Sequence, residues 1–147
     1  MSFDVYLSTE LYDKDGELHH SHEEFHFNYT SNMSSFWKAY IVRRQHEYVG
    51  DESIEEDLYG LWALEGLTGE EALPYLKDFF KEIYADIYKD DCNGSVYSSK
   101  ENDGLNKLRR KYDAENGWGC MVSAMIVTSE LMCACAEYPK AKLWMHS

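Results

Sequence analysis

Polar and apolar residues alternate near the start of the chain, and this pattern predicts two antiparallel strands. Residues 3–7 alternate with the period of a half-buried strand, with Val5 and Leu7 or their neighbours facing the core. Asp13-Lys14-Asp15-Gly16 predicts a turn, because Asp-Gly favours a tight hairpin connection. A second strand is expected over residues 17–29. One face of this strand carries Phe25, Phe27 and Tyr29, and the other carries His20, His22, Glu24 and His26.

Apolar residues then recur at helical spacing. The stripe of a first helix over residues 33–41 consists of Met33, Phe36, Trp37, Tyr40 and Ile41. Ser53-Ile54-Glu55-Glu56 matches a capping box and predicts a short helix through Tyr59. Thr68-Gly69-Glu70-Glu71 is a second capping box. Because proline interrupts the hydrogen bonds of a helix, Pro74 predicts a separate turn over residues 68–73 and a long helix over 74–89.

The rest of the chain predicts a loop, two helices and a strand. Residues 90–104 are rich in Asp, Asn, Gly and Ser, which favour a loop, and residues 105–112 predict a short basic helix. Residues 120–138 are apolar nearly all round, which is typical of a central buried helix, and residues 140–146 predict a final strand. The expected fold class is α+β, a single domain over residues 1–147 in which a small antiparallel sheet from both chain ends is covered by about five helices.

Charge changes this picture by limiting the partners. The net charge is −13, with residues 51–91 at −10 and residues 1–30 at −6. Residues 31–50 and 92–115 are slightly basic, at +2 and +1. Direct binding to nucleic acid is not expected, because it requires a basic face. The acidic residues either provide solubility or present an acidic surface to a basic partner.

Apolar runs, the N-terminal residues and the cysteines indicate the cellular compartment. No apolar run approaches the roughly 20 residues needed to span a bilayer, and the N-terminus lacks the basic region of a signal peptide. The cysteines form no C-x-x-C pair, so free thiols that act as small core residues in a reducing compartment are expected; they are Cys92, Cys120, Cys133 and Cys135. We therefore expect a cytoplasmic protein with no membrane partner.

Motifs of common enzymes are absent from the sequence. No serine lies in a G-x-S-x-G elbow, and there is no Walker or Rossmann phosphate loop. His20 and His22 have the H-x-H spacing that zinc enzymes use, but a strand places His26 about 13 Å from His22. We expect a solvated strand face, no metal and no cofactor. The sequence favours a protein that is not an enzyme, with activity at His20 and His22 left open.

Residues Asn116-Gly117-Trp118-Gly119 join the basic helix to the apolar one. Two glycines around a tryptophan allow a sharp turn, and the indole then lies at a helix entrance whose free N–H groups favour anions. The corner is either a structural turn plugged by the aromatic ring or a platform on which a planar ligand stacks.

A candidate binding site combines this corner with the break after the second strand. If the two breaks meet in space, the site offers amides, a hydroxyl, an indole and a guanidinium, which together suit a nucleotide-like anion. The alternative is that the Asn and Thr residues merely cap helices and that the bases balance helix ends. The candidate ligand-binding residues are Asn28, Thr30, Asn32, Arg43, Arg44, Asn116, Gly117 and Trp118.

Three stretches resemble a family of small uncharacterised proteins of phages and bacteria. They are Asp4-Val5-Tyr6-Leu7, Asn28-Tyr29-Thr30-Ser31-Asn32-Met33, and Glu115-Asn116-Gly117-Trp118-Gly119 with the later segment from Cys133 to Lys142. The second stretch is similar to an Asn-x-Thr-His-Asn motif, although Ser31 stands where the family has histidine. The resemblance implies a phage or mobile-element setting, hence host cytoplasm, in which small acidic proteins often counter host defence.

The sequence is compatible with two binding functions, and a third possibility is an enzyme that uses His20 and His22. The first is a non-enzymatic protein that sequesters a small anionic, nucleotide-derived ligand, such as a host-defence signal. The alternative is an acidic mimic of nucleic acid that inhibits a basic host protein by direct contact. The sequence leaves open whether the chain forms a homo-oligomer.

Overall fold

A computed structural model of the chain describes residues 1–89 and 104–147. The α+β expectation is confirmed, with strands and helices in both parts. Their order is β1 Ser2–Tyr12, β2 Leu18–Thr30, α1 Ser34–Tyr40, β3 Val42–Val49, β4 Glu52–Tyr59, α2 Gly69–Tyr88, α3 Gly104–Tyr112, α4 Met121–Glu137 and β5 Lys142–His146. Short 3₁₀ turns lie at Ser31–Met33 and Leu61–Leu64. The loop predicted over residues 90–104 lies outside the described residues except for Gly104, which begins α3.

The main sheet joins the two ends of the described chain, as expected. Its strand order is β2-β1-β5, and both pairings are antiparallel. Alternate residues of β1 are buried, because a half-buried strand directs every second side chain to the core. The buried side chains include Phe3, Val5 and Leu7 from β1, Phe27 from β2, and Leu143 and Met145 from β5.

The helix predicted from Ser53 to Tyr59 is wrong. Residues 52–59 form β4, which pairs antiparallel with β3 in a second sheet of two strands. Ile54 and Leu58 are four residues apart, and this spacing places two side chains on one face of a helix and also on one face of a strand. The partner strand β3, which was not predicted from the sequence, pairs with residues 52–59 and stabilises them as a strand.

The predicted break at Pro74 is also wrong, because α2 runs continuously from Gly69 to Tyr88. The capping box at Thr68 and Glu71 is confirmed and fixes the start of the helix. The Pro74 ring is exposed, while Ala72 and Leu76 on either side are fully buried. Burial of these neighbours offsets the hydrogen bond that proline removes.

Helix α4 is less central than its composition predicts. One face is buried and includes Met121, Ala124, Thr128 and Leu131. Val122 and Ile126 remain 37% and 53% exposed. An apolar composition all round therefore does not mean burial all round here, since α2, α3 and the sheet cover only part of the helix. Among the described residues, no helix has the length and apolar character needed to cross a membrane.

Candidate functional site

The Asn-Gly-Trp-Gly corner is a closed turn held by its own backbone. The Ala114 N–H donates to Gly119 O at 3.1 Å, and the Asn116 side-chain oxygen accepts from the Trp118 N–H at 3.0 Å. Gly117 and Gly119 have φ angles of 78° and 114°, a region that side chains with a Cβ rarely adopt. The glycine spacing therefore reflects a backbone requirement of the turn.

The corner packs against the end of β2, so the two predicted breaks meet in space. A Cβ added to Gly119 would lie 2.6 Å from Thr30 Cγ2, which shows how closely the two segments approach. The Asn32 side-chain amide donates to Trp118 O at 3.2 Å, and the Tyr29 hydroxyl donates to Cys120 O at 3.1 Å. These contacts hold the polar side chains of both breaks on one surface.

An open groove of about 610 Å³ lies between the two segments. Five of the eight predicted ligand-binding residues line it: Asn28, Thr30, Asn32, Asn116 and Trp118. The remaining lining residues are Met1, Ser2 and Tyr29. A smaller hollow of about 290 Å³ lies beside it and contains the sixth predicted residue, Gly117, together with Tyr29, Thr30 and Trp118.

Trp118 is not a plug for the turn, because its side chain is 73% exposed. It lines both the groove and the smaller hollow, so the indole stands between the two spaces. An exposed indole on a hydrogen-bonded turn offers an aromatic face for stacking.

The three carboxamides keep hydrogen-bonding capacity for a ligand. Asn28 uses its amide nitrogen toward Ser2 Oγ and Asp4 Oδ1, and Asn32 uses its amide nitrogen toward Trp118 O. Asn116 uses its oxygen toward the Trp118 N–H. Within the described chain this leaves two carbonyl acceptors and one amide donor at the groove. Such a mixed set can recognise the edge of a heterocyclic base.

Arg43 and Arg44, the two predicted phosphate ligands, do not line the groove. Arg43 donates to Ala63 O at 2.8 Å, and Arg44 forms ion pairs with Asp57 at 3.1 Å and Glu55 at 3.4 Å on β4. Their proximity in sequence to the first break was misleading, because residues 42–49 form β3 and lead away into the second sheet. No lysine or arginine is among the described lining residues of the groove.

The entrance of α4 already holds a carboxylate. Asp113 Oδ1 accepts from the Met121 N–H at 2.8 Å, so a side chain of the same chain occupies part of the helix N-terminus. Asp113 in turn pairs with Arg109 at 3.3 Å. The predicted attraction of this helix entrance for a ligand anion is correspondingly reduced.

Asp4, which accepts a hydrogen bond from the groove residue Asn28, and its partner His26 were not predicted as site residues. The Asp4 carboxylate accepts from His26 Nε2 at 2.8 Å and from the Asn28 amide at 3.0 Å. The pKa of Asp4 lies below its usual value, chiefly because of the hydrogen bonds from His26 and Asn28. The sequence did not indicate this contact, because two register shifts in the hairpin lie between the turn and the pair of Asp4 and Asn28.

The histidine strip does not form the single face that strand alternation predicts. The register of β1 and β2 shifts between Leu7/Ser8, so Tyr6 pairs with His26 whereas Thr9 pairs with His22. Paired residues lie on the same face, and Tyr6 and Thr9 lie on opposite faces of β1. His26 is therefore turned away from His20 and His22. In the described part of the chain, no cluster of three or more His, Cys, Asp or Glu side chains is suited to a metal ion.

The prediction that the cysteines are free thiols acting as small core residues is correct for Cys135 and wrong for Cys133, which is exposed. Cys120, Cys133 and Cys135 are free, with Cys133 exposed and Cys135 buried on opposite faces of α4. Burial raises the pKa of the Cys135 thiol to about 12, so this thiol is unreactive near neutral pH. Cys92 lies outside the described residues.

Comparison of the chain with protein-family models, with curated proteins and with solved structures finds no significant match.

Proposed function

We propose that this protein is a binding protein that captures a small nucleotide-derived ligand in the groove beside Trp118. The observation that carries the proposal is the meeting of two segments distant in sequence, residues 28–32 and 116–118, around one open groove. The meeting gathers an exposed indole, three carboxamides and the Thr30 hydroxyl.

The groove chemistry supports recognition of the base rather than of the phosphate. A base would stack on Trp118, and the carbonyl oxygens of Asn28 and Asn32 and the amide of Asn116 would contact its polar edge. Because the described lining residues include no lysine or arginine, the phosphate of such a ligand would point toward solvent. The ligand can then be anionic, but its charge would contribute little to affinity.

The resemblance to small phage proteins supports a biological setting for this proposal. A phage protein that binds a nucleotide without converting it would lower the free concentration of a host-defence signal. Its capacity is one ligand for each groove, so it would act stoichiometrically.

The acidic-mimic alternative is favoured by the row of exposed acids on β4. Glu52, Glu55, Glu56 and Asp57 are all exposed on this strand. However, Arg44 and His46 of β3 already approach Glu55, and Arg44 also pairs with Asp57. The hairpin therefore presents mixed charge, which suits a basic partner less well than a continuous acidic face.

The proposal is tested with a panel of nucleosides and of linear and cyclic nucleotides, by calorimetry and by melting temperature. A ligand that binds the folded state raises the melting temperature by mass action. We expect Trp118→Ala to abolish this shift without loss of fold, since the side chain is mostly exposed. Trp62→Ala is the matched control, because Trp62 is 40% exposed and lies outside the groove.

Asn116→Asp then separates base recognition from phosphate recognition. It keeps the oxygen that holds the Trp118 N–H but replaces the amide donor with a carboxylate. Affinity for nucleotides should fall further than affinity for the matching nucleoside, because the new charge repels phosphate. If no compound in the panel binds, and the protein instead captures a basic protein in a salt-sensitive manner, the acidic-mimic alternative replaces the proposal.

A further inference from the structure

We infer that two copies of this chain associate through the free edge of β3, forming a four-stranded antiparallel sheet in the order β4-β3-β3-β4. The partner is a second copy of the same chain, related by a two-fold axis at Gln45. The inference is independent of the ligand proposed for the groove.

The hairpin of β3 and β4 is exposed along nearly its whole length. Val42, Tyr48, Val49, Ile54 and Tyr59 have between 47% and 74% of their surface exposed. Two-stranded sheets are marginally stable in water, and they gain stability when further strands join them. Among the described residues, β3 pairs only with β4, so its other edge has no strand partner.

The hydrogen-bonding pattern shows which backbone groups this edge presents. Gly60 N–H donates to Ile41 O at 2.9 Å, which is one of the two bonds of a hydrogen-bonded pair just before the ladder of β3 and β4, while the Ile41 N–H donates to Trp37 O at 2.8 Å. Because such pairs alternate along an antiparallel ladder, every second residue of β3 directs its N–H and C=O away from β4. These outward residues are Val42, Arg44, His46 and Tyr48.

A two-fold axis at Gln45 pairs these outward groups and their side chains. Arg44 then faces His46 of the second copy, and Val42 faces its Tyr48, forming about eight main-chain hydrogen bonds. On the other face of the sheet, Arg43 lies opposite Glu47 of the second copy. This register covers exposed apolar side chains and sets one kind of opposite-charge pair, Arg43 with Glu47, across the interface.

Neighbouring registers are less favourable. An axis at Arg44 places two arginines against each other, and an axis at Glu47 does the same with two glutamates. The register with its axis at Gln45 avoids both like-charge pairs.

The free edge of β4 is unsuited to the same association. Its outward residues are Ser53, Glu55, Asp57 and Tyr59, by the same alternation. Self-pairing with an axis at Glu55, Glu56 or Asp57 brings acid against acid, and charged residues of this kind protect natural edge strands from pairing.

The charge of the whole chain favours β3 as well. At a net charge of −13, two copies repel each other most where acids are concentrated. Residues 31–50, which include β3, carry a net charge of +2. Contact through β3 therefore joins the copies at one of the least acidic parts of the chain.

Sedimentation velocity of the full chain tests the association directly. The native protein should sediment with twice the 17.2 kDa mass of one chain at micromolar to millimolar concentration. His46→Pro should weaken the dimer by at least about tenfold in Kd, because it removes an outward N–H of β3. Glu55→Pro is the matched control: Glu55 is the cross-strand neighbour of His46, and its outward edge is that of β4. This variant should remain dimeric, and circular dichroism verifies that both variants fold.

A disulfide tests the register. Gln45→Cys places two cysteines opposite each other at the axis, at a spacing that suits a disulfide, and oxidation should yield a covalent dimer. Glu56→Cys, on the cross-strand partner of Gln45, should not, and the native chain measures the background from its own thiols. A monomer at millimolar concentration, growth into open-ended polymers, or a dimer that survives His46→Pro would each overturn the inference.

Discussion

Gly117 and Gly119 look equivalent in the sequence but serve different purposes in the structure. Both have positive φ angles. Among the residues that the structure describes, nothing lies within 4 Å of a Cβ added at Gly117, whereas one added at Gly119 would meet Thr30 at 2.6 Å and Met33 at 2.9 Å. Gly117 is therefore required only by the turn, and Gly119 also by the close approach that builds the groove.

We predict that Gly119→Ala destabilises the protein more than Gly117→Ala. At Gly117 the cost is backbone strain, about 1–2 kcal/mol. At Gly119 the same strain is joined by a clash that pushes the corner away from β2. Urea unfolding measures both values, and equal losses would show that the approach of Thr30 to the corner is not close.

A second residue-scale prediction concerns the buried pair of Trp37 and Thr128. The indole Nε1–H of Trp37 donates to Thr128 Oγ1 at 2.9 Å, and both side chains are at most 1% exposed. Thr128→Val keeps the shape but leaves the indole N–H without an acceptor, which should cost about 1–3 kcal/mol of unfolding free energy.

Thr128→Ser is the control for this pair, because it keeps the hydroxyl and removes only a methyl group. Denaturant unfolding should rank the serine variant above the valine variant in stability. The reverse order would mean that the methyl packing of Thr128 matters more than its hydrogen bond.

The composition of the groove was partly predictable from single residues. Asn28, Thr30, Asn32, Asn116 and Trp118 were identified because amides and an indole flank breaks in the chain, and the structure brings them together. Arg43 and Arg44 were predicted to line the groove but do not, because the charge of a residue does not indicate the direction in which its strand runs. The strand that carries them leads into the second sheet, where backbone and carboxylate oxygens accept from them.

For the helices and strands, local sequence signals predicted where an element starts better than where it ends or which strand it pairs with. The helix start at Thr68 was predicted correctly because the hydrogen bonds of its capping box join residues that are close in sequence, Thr68 and Glu71. The Ser53 box was wrong because a strand partner at residues 42–49 competes for the same backbone groups. Pairing between strands depends on residues that no local window contains.

We predict that Pro74→Ala stabilises the protein. Helix α2 continues through Pro74 without the N–H that alanine would supply, and a proline inside a helix costs about 3 kcal/mol relative to alanine. Part of this gain is lost because alanine makes the unfolded chain more flexible, so about 2 kcal/mol is expected. A decrease in the urea midpoint would show that α2 depends on a bend at this residue.

The capping box of α2 predicts a pH dependence. The pKa of Glu71 lies below its usual value, chiefly because of hydrogen bonds from the Thr68 hydroxyl and backbone N–H. A carboxylate with a lowered folded-state pKa stabilises the fold above its unfolded pKa, and this stabilisation is lost as the pH falls through the folded pKa. The cost of Thr68→Ala, typically about 1 kcal/mol for an N-cap, should therefore shrink as the pH is lowered from 7 through the folded pKa of Glu71. A constant cost across this range would contradict the role of Glu71.

For the whole molecule, the excess of negative charge is expected to lower the stability of the fold. With a net charge of −13, the folded chain repels itself, and salt screens this repulsion. The melting temperature should therefore rise between about 20 mM and about 300 mM NaCl. Glu56→Gln, which removes one exposed acid, should show a smaller rise. A melting temperature that falls with salt would indicate that ion pairs such as those of Arg44 outweigh the repulsion.

Binding of a planar, nucleotide-derived ligand in the groove beside Trp118 can be followed at the indole itself. The chain has four tryptophans, so an ¹⁵N–¹H correlation spectrum contains four indole signals that substitution can assign. During titration with the nucleoside and nucleotide panel, we expect at least one compound to cause a saturable shift of the Trp118 indole signal. The signal of Trp37, which is buried, should stay in place. If no compound shifts the Trp118 signal, or if saturable shifts are confined to Trp62 and Trp144, the proposed binding beside Trp118 is wrong.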